Sequence, residues 1–161
     1  MAEKFIFSSK EISFLRELIK QGVEFILVGL SAAALQGAPV VTQDIDLWFK
    51  DLADPGIKKA LKKVGGFYVN PIGLNPPMFA GNAVKLFDIV STMPGLDSFD
   101  NEIGNCIKLT LGKIKVPVLK LERIIKSKET VGREKDKIVL PVLKDVIETI
   151  KGLKKIKTYG K

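Results

Sequence analysis

The chain has 161 residues, 46% of them apolar and 27% charged, with a formal net charge of +8. That is the length of a single domain, residues 1–161, with enough apolar side chain for a sizeable core. Histidine is absent and Cys106 is the one cysteine, which excludes imidazole-based triads, His-ligated metals, internal disulfides and multi-cysteine zinc sites. The charge is uneven: residues 108–161 hold 16 basic and 6 acidic side chains, against 10 basic and 12 acidic in residues 1–107. An acidic body with a basic flank suits a polyanionic ligand, and equally suits a lysine-rich solvated surface. No run of about 18 apolar residues occurs, so no membrane-spanning helix is expected. Residues 1–7 lack the apolar length and cleavage site of a signal peptide, and the expected location is the cytoplasm.

Ser8 and Glu11 stand at the spacing of a capping box, with Phe7 and Ile12 as a hydrophobic staple. Ile12, Leu15, Leu18 and Ile19 then continue at helical spacing up to Gly22. Val23 to Val28 reads as a buried central strand broken only by Glu24. Ser31 to Leu35 reads as a short helix stopped by Gly37 and Pro39, and Asp44 to Phe49 as a second strand. Asp54-Pro55 is an N-cap followed by proline at the first helical position; that helix turns Ile57, Leu61 and Val64 inward and stops at Gly65-Gly66. Phe67 to Val69 is a short strand, Asn70 to Pro77 a loop, and Ala83 to Val90 a further strand carrying Asp88. Cys106–Leu111 and Ile114–Val118 form a hairpin through Gly112-Lys113, with Cys106 as a small buried hydrophobe. Residues 119–130 and 134–153 are two amphipathic helices packed on the rest, followed by a lysine-rich tail. The pattern is an α/β (α+β) mixed sheet flanked by helices.

Asp44 and Asp46 are two apart on one apolar strand, so both project to one face while Ile45 and Leu47 turn to the other. Two like charges held together call for a cation, and hard divalent ions such as Mg²⁺ take oxygen ligands while keeping waters and substrate phosphates. An edge strand's solvated face would also accept such a pair. The turn Val28-Gly29-Leu30-Ser31 joins a strand to a helix, where free N–H groups and the Ser31 hydroxyl can seat a phosphate. It is not a nucleophile elbow, since Ala33 replaces the second glycine and there is no histidine. Neither a phosphate loop ending in Gly-Lys-Ser/Thr nor Gly-x-Gly-x-x-Gly occurs.

Taken together, Val28-Gly29-Leu30-Ser31-Ala32-Ala33-Ala34-Leu35-Gln36-Gly37, Thr42-Gln43-Asp44-Ile45-Asp46-Leu47 and Asp88 resemble the polymerase-β-like nucleotidyltransferase superfamily, in particular its small stand-alone members related to toxin–antitoxin and abortive-infection components. Leu121-Glu122-Arg123-Ile124-Ile125, Lys128 and Arg133-Glu134-Lys135-Asp136 resemble the helical end of that group. The resemblance covers residues 23 to 150. It implies Mg²⁺ (or Mn²⁺) held by Asp44 and Asp46, with Asp88 completing a second metal position and helping to deprotonate the attacking hydroxyl. It implies a nucleoside triphosphate seated by Gly29 and Ser31, with Lys128, Arg133 and Lys135 offering positive charge, and an RNA or protein acceptor. The bland alternative for these cations is a solvated helix face with Asp136 pairing locally. Two departures stand out: Leu30 occupies the second position of the usual Gly-Gly or Gly-Ser pair, and Gln36 stands where histidine is frequent. Three readings follow: an active nucleotidyltransferase, a catalytically silent member acting as an antitoxin-like subunit or RNA-binding module, and an unrelated α/β protein.

Overall fold

The computed structural model describes residues 7–159, with side chains to residue 154. The segment read against a signal peptide, apart from Phe7, and the end of the lysine-rich tail lie outside the described residues. Helix α1 (Ser9–Lys20) starts where the capping box places it: the Ser8 N–H donates to Glu11 Oε1 at 3.1 Å, and the Ser8 hydroxyl meets the same oxygen. Its buried face is Glu11, Phe14, Leu15 and Leu18. Ile19, expected inward, is exposed, because one step past Leu18 rotates a side chain about 100° round the helix.

Strand β1 (Phe25–Val28) is buried at all four positions. It pairs antiparallel with β2 (Ile45–Phe49) and parallel with a strand at Ile114–Leu119. The helix α2 (Gly29–Leu35) follows β1 directly, and α3 (Pro55–Lys63) is capped by Asp54 Oδ1, which accepts the Gly56 N–H at 2.8 Å. A two-stranded hairpin of β3 (Phe67–Val69) and β4 (Met78–Ala80) comes next, then β5 (Phe87–Val90), the one-turn helix α4 (Phe99–Glu102), β6 (Cys106–Leu111) and β7 (Ile114–Leu119). Helices α5 (Leu121–Val131) and α6 (Glu134–Tyr159) complete the described chain. The main sheet has the order β5-β2-β1-β7-β6, with β5 parallel to β2 and β6 antiparallel to β7. This is a mixed five-stranded sheet flanked by six helices among the described residues.

Two strand boundaries differ from expectation. β2 begins at Ile45, so Asp44 stands one residue before it. Only Phe87–Val90 of the expected strand at 83–90 pairs; the preceding residues turn instead, with Val84 N–H donating to Gly81 O and Phe87 N–H to Val84 O. That turn buries Val84 completely against the core. The hydrophobic core is continuous. Phe14 on α1 meets Phe79 and Phe87 edge-on, at 5.5 and 5.0 Å between centroids, tying helix, hairpin and β5 together. Trp48 packs edge-on against Phe99 at 5.4 Å, and Phe49 against Phe79 at 5.9 Å, so both are core residues.

Candidate active site

The site is built by strand register. Ile45 and Leu47 are fully buried on one face of β2, which sends Asp46 to the other. Asp46 is the Cα partner of Val28 on β1 and of Asp88 on β5. In a parallel ladder, partners point to the same face, so Asp46 and Asp88 stand side by side. Gly29, immediately after β1, has φ of +72°, and a Cβ built there would collide with the Asp46 carboxylate. Glycine is needed for both reasons: a left-handed backbone and room for that side chain. Asp44 is exposed, and its N–H donates to Thr42 Oγ1 at 3.3 Å.

The three carboxylates share one cleft of about 300 Å³. Burial, then Asp88, then Asp44 push the Asp46 carboxyl up to about 6, with Lys128 and Lys135 working against them. Burial and the charge of Asp44 raise the Asp88 carboxyl as well. Opposite this acidic wall the same cleft is lined by Lys128, Arg133 and Lys135 from the α5–α6 junction. Asp136, buried behind them, holds the first two in place. Its Oδ1 accepts from Lys128 Nζ at 3.3 Å, and its Oδ2 accepts from Arg133 Nε at 2.8 Å and from the Arg133 N–H at 3.2 Å. Burial pushes the Asp136 carboxyl up, but Arg133 and Lys128 together outweigh it and hold the group below the usual carboxylate range. Local pairing and cleft lining are thus both true of Lys128 and Arg133.

Ser31 is placed elsewhere. Its side chain is fully buried and its hydroxyl donates to the Val28 carbonyl at 3.2 Å. The hydroxyl therefore locks the turn and is not presented to the cleft as a phosphate donor; Leu30 lines the cleft instead. Gln36 also has a framework role: Nε2 donates to Leu119 O at 2.8 Å, and Oε1 accepts the Leu121 N–H at 3.2 Å. Two further grooves meet at Asp46. One, of about 390 Å³, runs past Gly29 to Thr92 and Ser127. The other, of about 660 Å³, runs past Asp88 to Asn70 and Asn75 on the β3–β4 connection. Thr92, Ser127 and the two asparagines carry no sequence signal, since only folding brings them beside the aspartates.

Among the described residues, no group of three or more acidic, thiol or imidazole side chains is gathered closely enough to hold an ion by protein ligands alone. The donor chemistry nonetheless fits a hard divalent cation: Asp46 and Asp88 are adjacent carboxylates whose repulsion a cation would relieve. Mg²⁺ commonly takes one or two carboxylates and completes its shell with water and substrate phosphates.

No family model and no curated protein matches the chain. Solved structures do. The solution structure of the antibiotic-resistance factor ANT(2'')-Ia superposes with a TM-score of 0.60 over 99% of this chain and 96% of that one, at 12% identity. An antigenic nucleotidyltransferase-like protein from Paracoccidioides brasiliensis gives a TM-score of 0.57 over 87% and 75% of the two chains, at 15% identity. The fold is a nucleotidyltransferase fold. The crystal structure of ANT(2'')-Ia in complex with adenylyl-2''-tobramycin gives a TM-score of 0.50 over 83% of this chain and 94% of that one, at 13% identity. Within this nucleotidyltransferase fold, no helix among the described residues is long and apolar enough to cross a membrane.

Proposed function

We propose that this chain transfers a nucleoside monophosphate from a nucleoside triphosphate to a hydroxyl group on RNA or protein, with Mg²⁺ or Mn²⁺ as cofactor. The observation that carries this reading is the pairing of Asp46 with Asp88 across one ladder, facing Lys128 and Arg133 across one cleft. The cations, fixed by Asp136, attract and orient the triphosphate. Gly29 leaves its backbone bare beside Asp46, so the phosphate chain can approach closely. An acceptor hydroxyl arriving past Asp88 attacks the α-phosphorus in line, its proton passes to the Asp88 carboxylate, and pyrophosphate leaves. Asp88 is exposed, so a proton taken from the acceptor can return to solvent. A divalent ion held by Asp46 and Asp88, with Asp44 lining the same cleft, would supply Lewis-acid charge at the phosphates. Little else is asked of protein acid–base groups, which suits a chain without histidine. The neighbour of this fold seen with adenylyl-2''-tobramycin supports the same chemistry.

The test is incubation with α-labelled nucleoside triphosphates, Mg²⁺ and both RNA and protein acceptors. Label transfer that Asp46→Asn and Asp88→Asn abolish is the expected result; transfer that survives both substitutions overturns the assignment. A second reading, a silent antitoxin-like subunit or RNA-binding module, is favoured by one observation: Leu30 faces the cleft while the Ser31 hydroxyl is turned inward. It expects capture of a toxin-like protein or an RNA that Asp46→Asn leaves intact, with no label transferred.

A further inference from the structure

The groove that leaves Asp46 past Asp88 is the path left for an acceptor, because the triphosphate is drawn to the opposite, cationic wall. Its chemistry is distinctive. Apart from Asp46 and Asp88 it is lined by the Asn70 and Asn75 amides and by apolar side chains, among them Val69, Ile72, Met78 and Ile89. No lysine or arginine among the described residues lines it, so it offers no cation to the phosphates of an RNA end. A polycationic aminosugar finds only the two aspartates, whose charge the cofactor would neutralise. The groove does not stop at its rim. It continues onto an exposed apolar tip where Ile72 is 69% and Met78 55% exposed, and Leu74 is entirely so. The tip is stiff: Pro71, Pro76 and Pro77 flank a turn in which the Asn75 N–H donates to Ile72 O at 2.9 Å. A preformed apolar surface running out from a reactive centre fits a protein partner, and exceeds what a small molecule inside the groove would cover.

We infer that the acceptor is a serine, threonine or tyrosine hydroxyl in an apolar-flanked segment of another protein, seated between β5 and the β3–β4 connection. This rests on the nucleotidyl-transfer reading. The acceptor oxygen bonds to the α-phosphorus, the bond from that phosphorus to the bridging oxygen of the β-phosphate breaks, and the electron pair leaves with pyrophosphate. The hydroxyl proton goes to Asp88. Asn70 and Asn75 are placed to bond the segment's backbone, and the apolar tip to cover its flanking side chains.

The experiment offers α-labelled nucleoside triphosphates and Mg²⁺ to the whole protein with four acceptors in parallel. These are synthetic peptides with Tyr, Ser or Thr between valine and leucine, the same peptides flanked by lysine, an RNA oligonucleotide with a free 3′-hydroxyl, and a polycationic aminosugar. Labelling of the apolar-flanked peptide, about tenfold or more above every other acceptor, is expected. Ile72→Asp, at an exposed position where folding is safe, is expected to raise the peptide KM about tenfold while the triphosphate KM moves by less than about twofold. Preferred labelling of RNA or the aminosugar overturns this inference and leaves nucleotidyl transfer standing. So does triphosphate consumption with no peptide labelled, or an Ile72→Asp variant with the wild-type peptide KM. Failure to consume any triphosphate takes the nucleotidyl-transfer reading down as well.

Discussion

Asp46→Asn should abolish transfer and, at neutral pH, make the metal-free protein more stable. In the unfolded chain the Asp46 carboxyl titrates near 3.8; in the folded protein burial and its acidic neighbours push it up to about 6. The native state therefore holds its proton more tightly. Stability is greatest below the unfolded value, declines as pH rises through the window from about 4 to about 6, and the full penalty remains above it. A shift of two units corresponds to about 3 kcal/mol, and screening at this partly open cleft reduces it to about 1–2 kcal/mol. Asparagine keeps the shape without the charge. At pH 8 the variant should melt about 3–6 °C above wild type for a domain of this size, whereas at pH 4 the two should melt together. Thermal unfolding in chelator-treated buffer across pH 4 to 8 measures this. A variant less stable than wild type at pH 8, or a difference of the same size at both pH values, would falsify the picture of Asp46 as a strained carboxylate awaiting a cation.

Gly29→Ala introduces a Cβ where the Asp46 carboxylate lies, at a residue with φ of +72°; the backbone costs about 1–2 kcal/mol, and kcat should fall about 100-fold as the carboxylate is displaced. Asp136→Asn removes the charge that fixes Lys128 and Arg133, so steady-state kinetics should show the triphosphate KM rising about tenfold with a smaller change in kcat. Glu102 is fully buried against Arg123, whose Nε donates to Oε1 at 2.9 Å, and that bond above all holds its carboxyl down at about 2. Its contribution is present above the ordinary carboxylate value and lost as pH falls toward about 2. Glu102→Gln should therefore cost about 3 kcal/mol in urea unfolding at pH 7 and progressively less at pH 3.

What the sequence makes legible is whatever short-range chemistry decides. Ser8 with Glu11 and Asp54 with Pro55 mark helix starts because the capping groups lie within one turn of the N–H they satisfy. Asp46 declares its face because it alternates with apolar Ile45 and Leu47, whereas Asp44 lies one residue before β2 and reaches the cleft from outside the ladder. What stays hidden depends on pairing between distant segments. Asp88 could be placed on a strand, but its position beside Asp46 is set by the register of β5 on β2, some 40 residues away in sequence. β4 is masked by the prolines just before it, and only its pairing with β3 makes Met78–Ala80 a strand. The turn sequence offers the Ser31 hydroxyl to a phosphate, but its place in α2 turns the hydroxyl back to Val28 O. Asp136 is visible as a charge, while its burial behind two cleft-lining cations follows from how α5 and α6 meet at Gly132, whose φ of 65° reverses the chain.

The proposed reaction requires the aspartates and the facing cations to bind a divalent ion together with a nucleoside triphosphate. Electron paramagnetic resonance of Mn²⁺ titrated into the protein, with and without a triphosphate whose α,β-bridge cannot be cleaved, tests it most directly. Mn²⁺ binding to the protein should tighten about tenfold or more when the nucleotide is present, and be lost in Asp46→Asn. Mn²⁺ binding that is indifferent to nucleotide, or that persists unchanged without the Asp46 carboxylate, would contradict it.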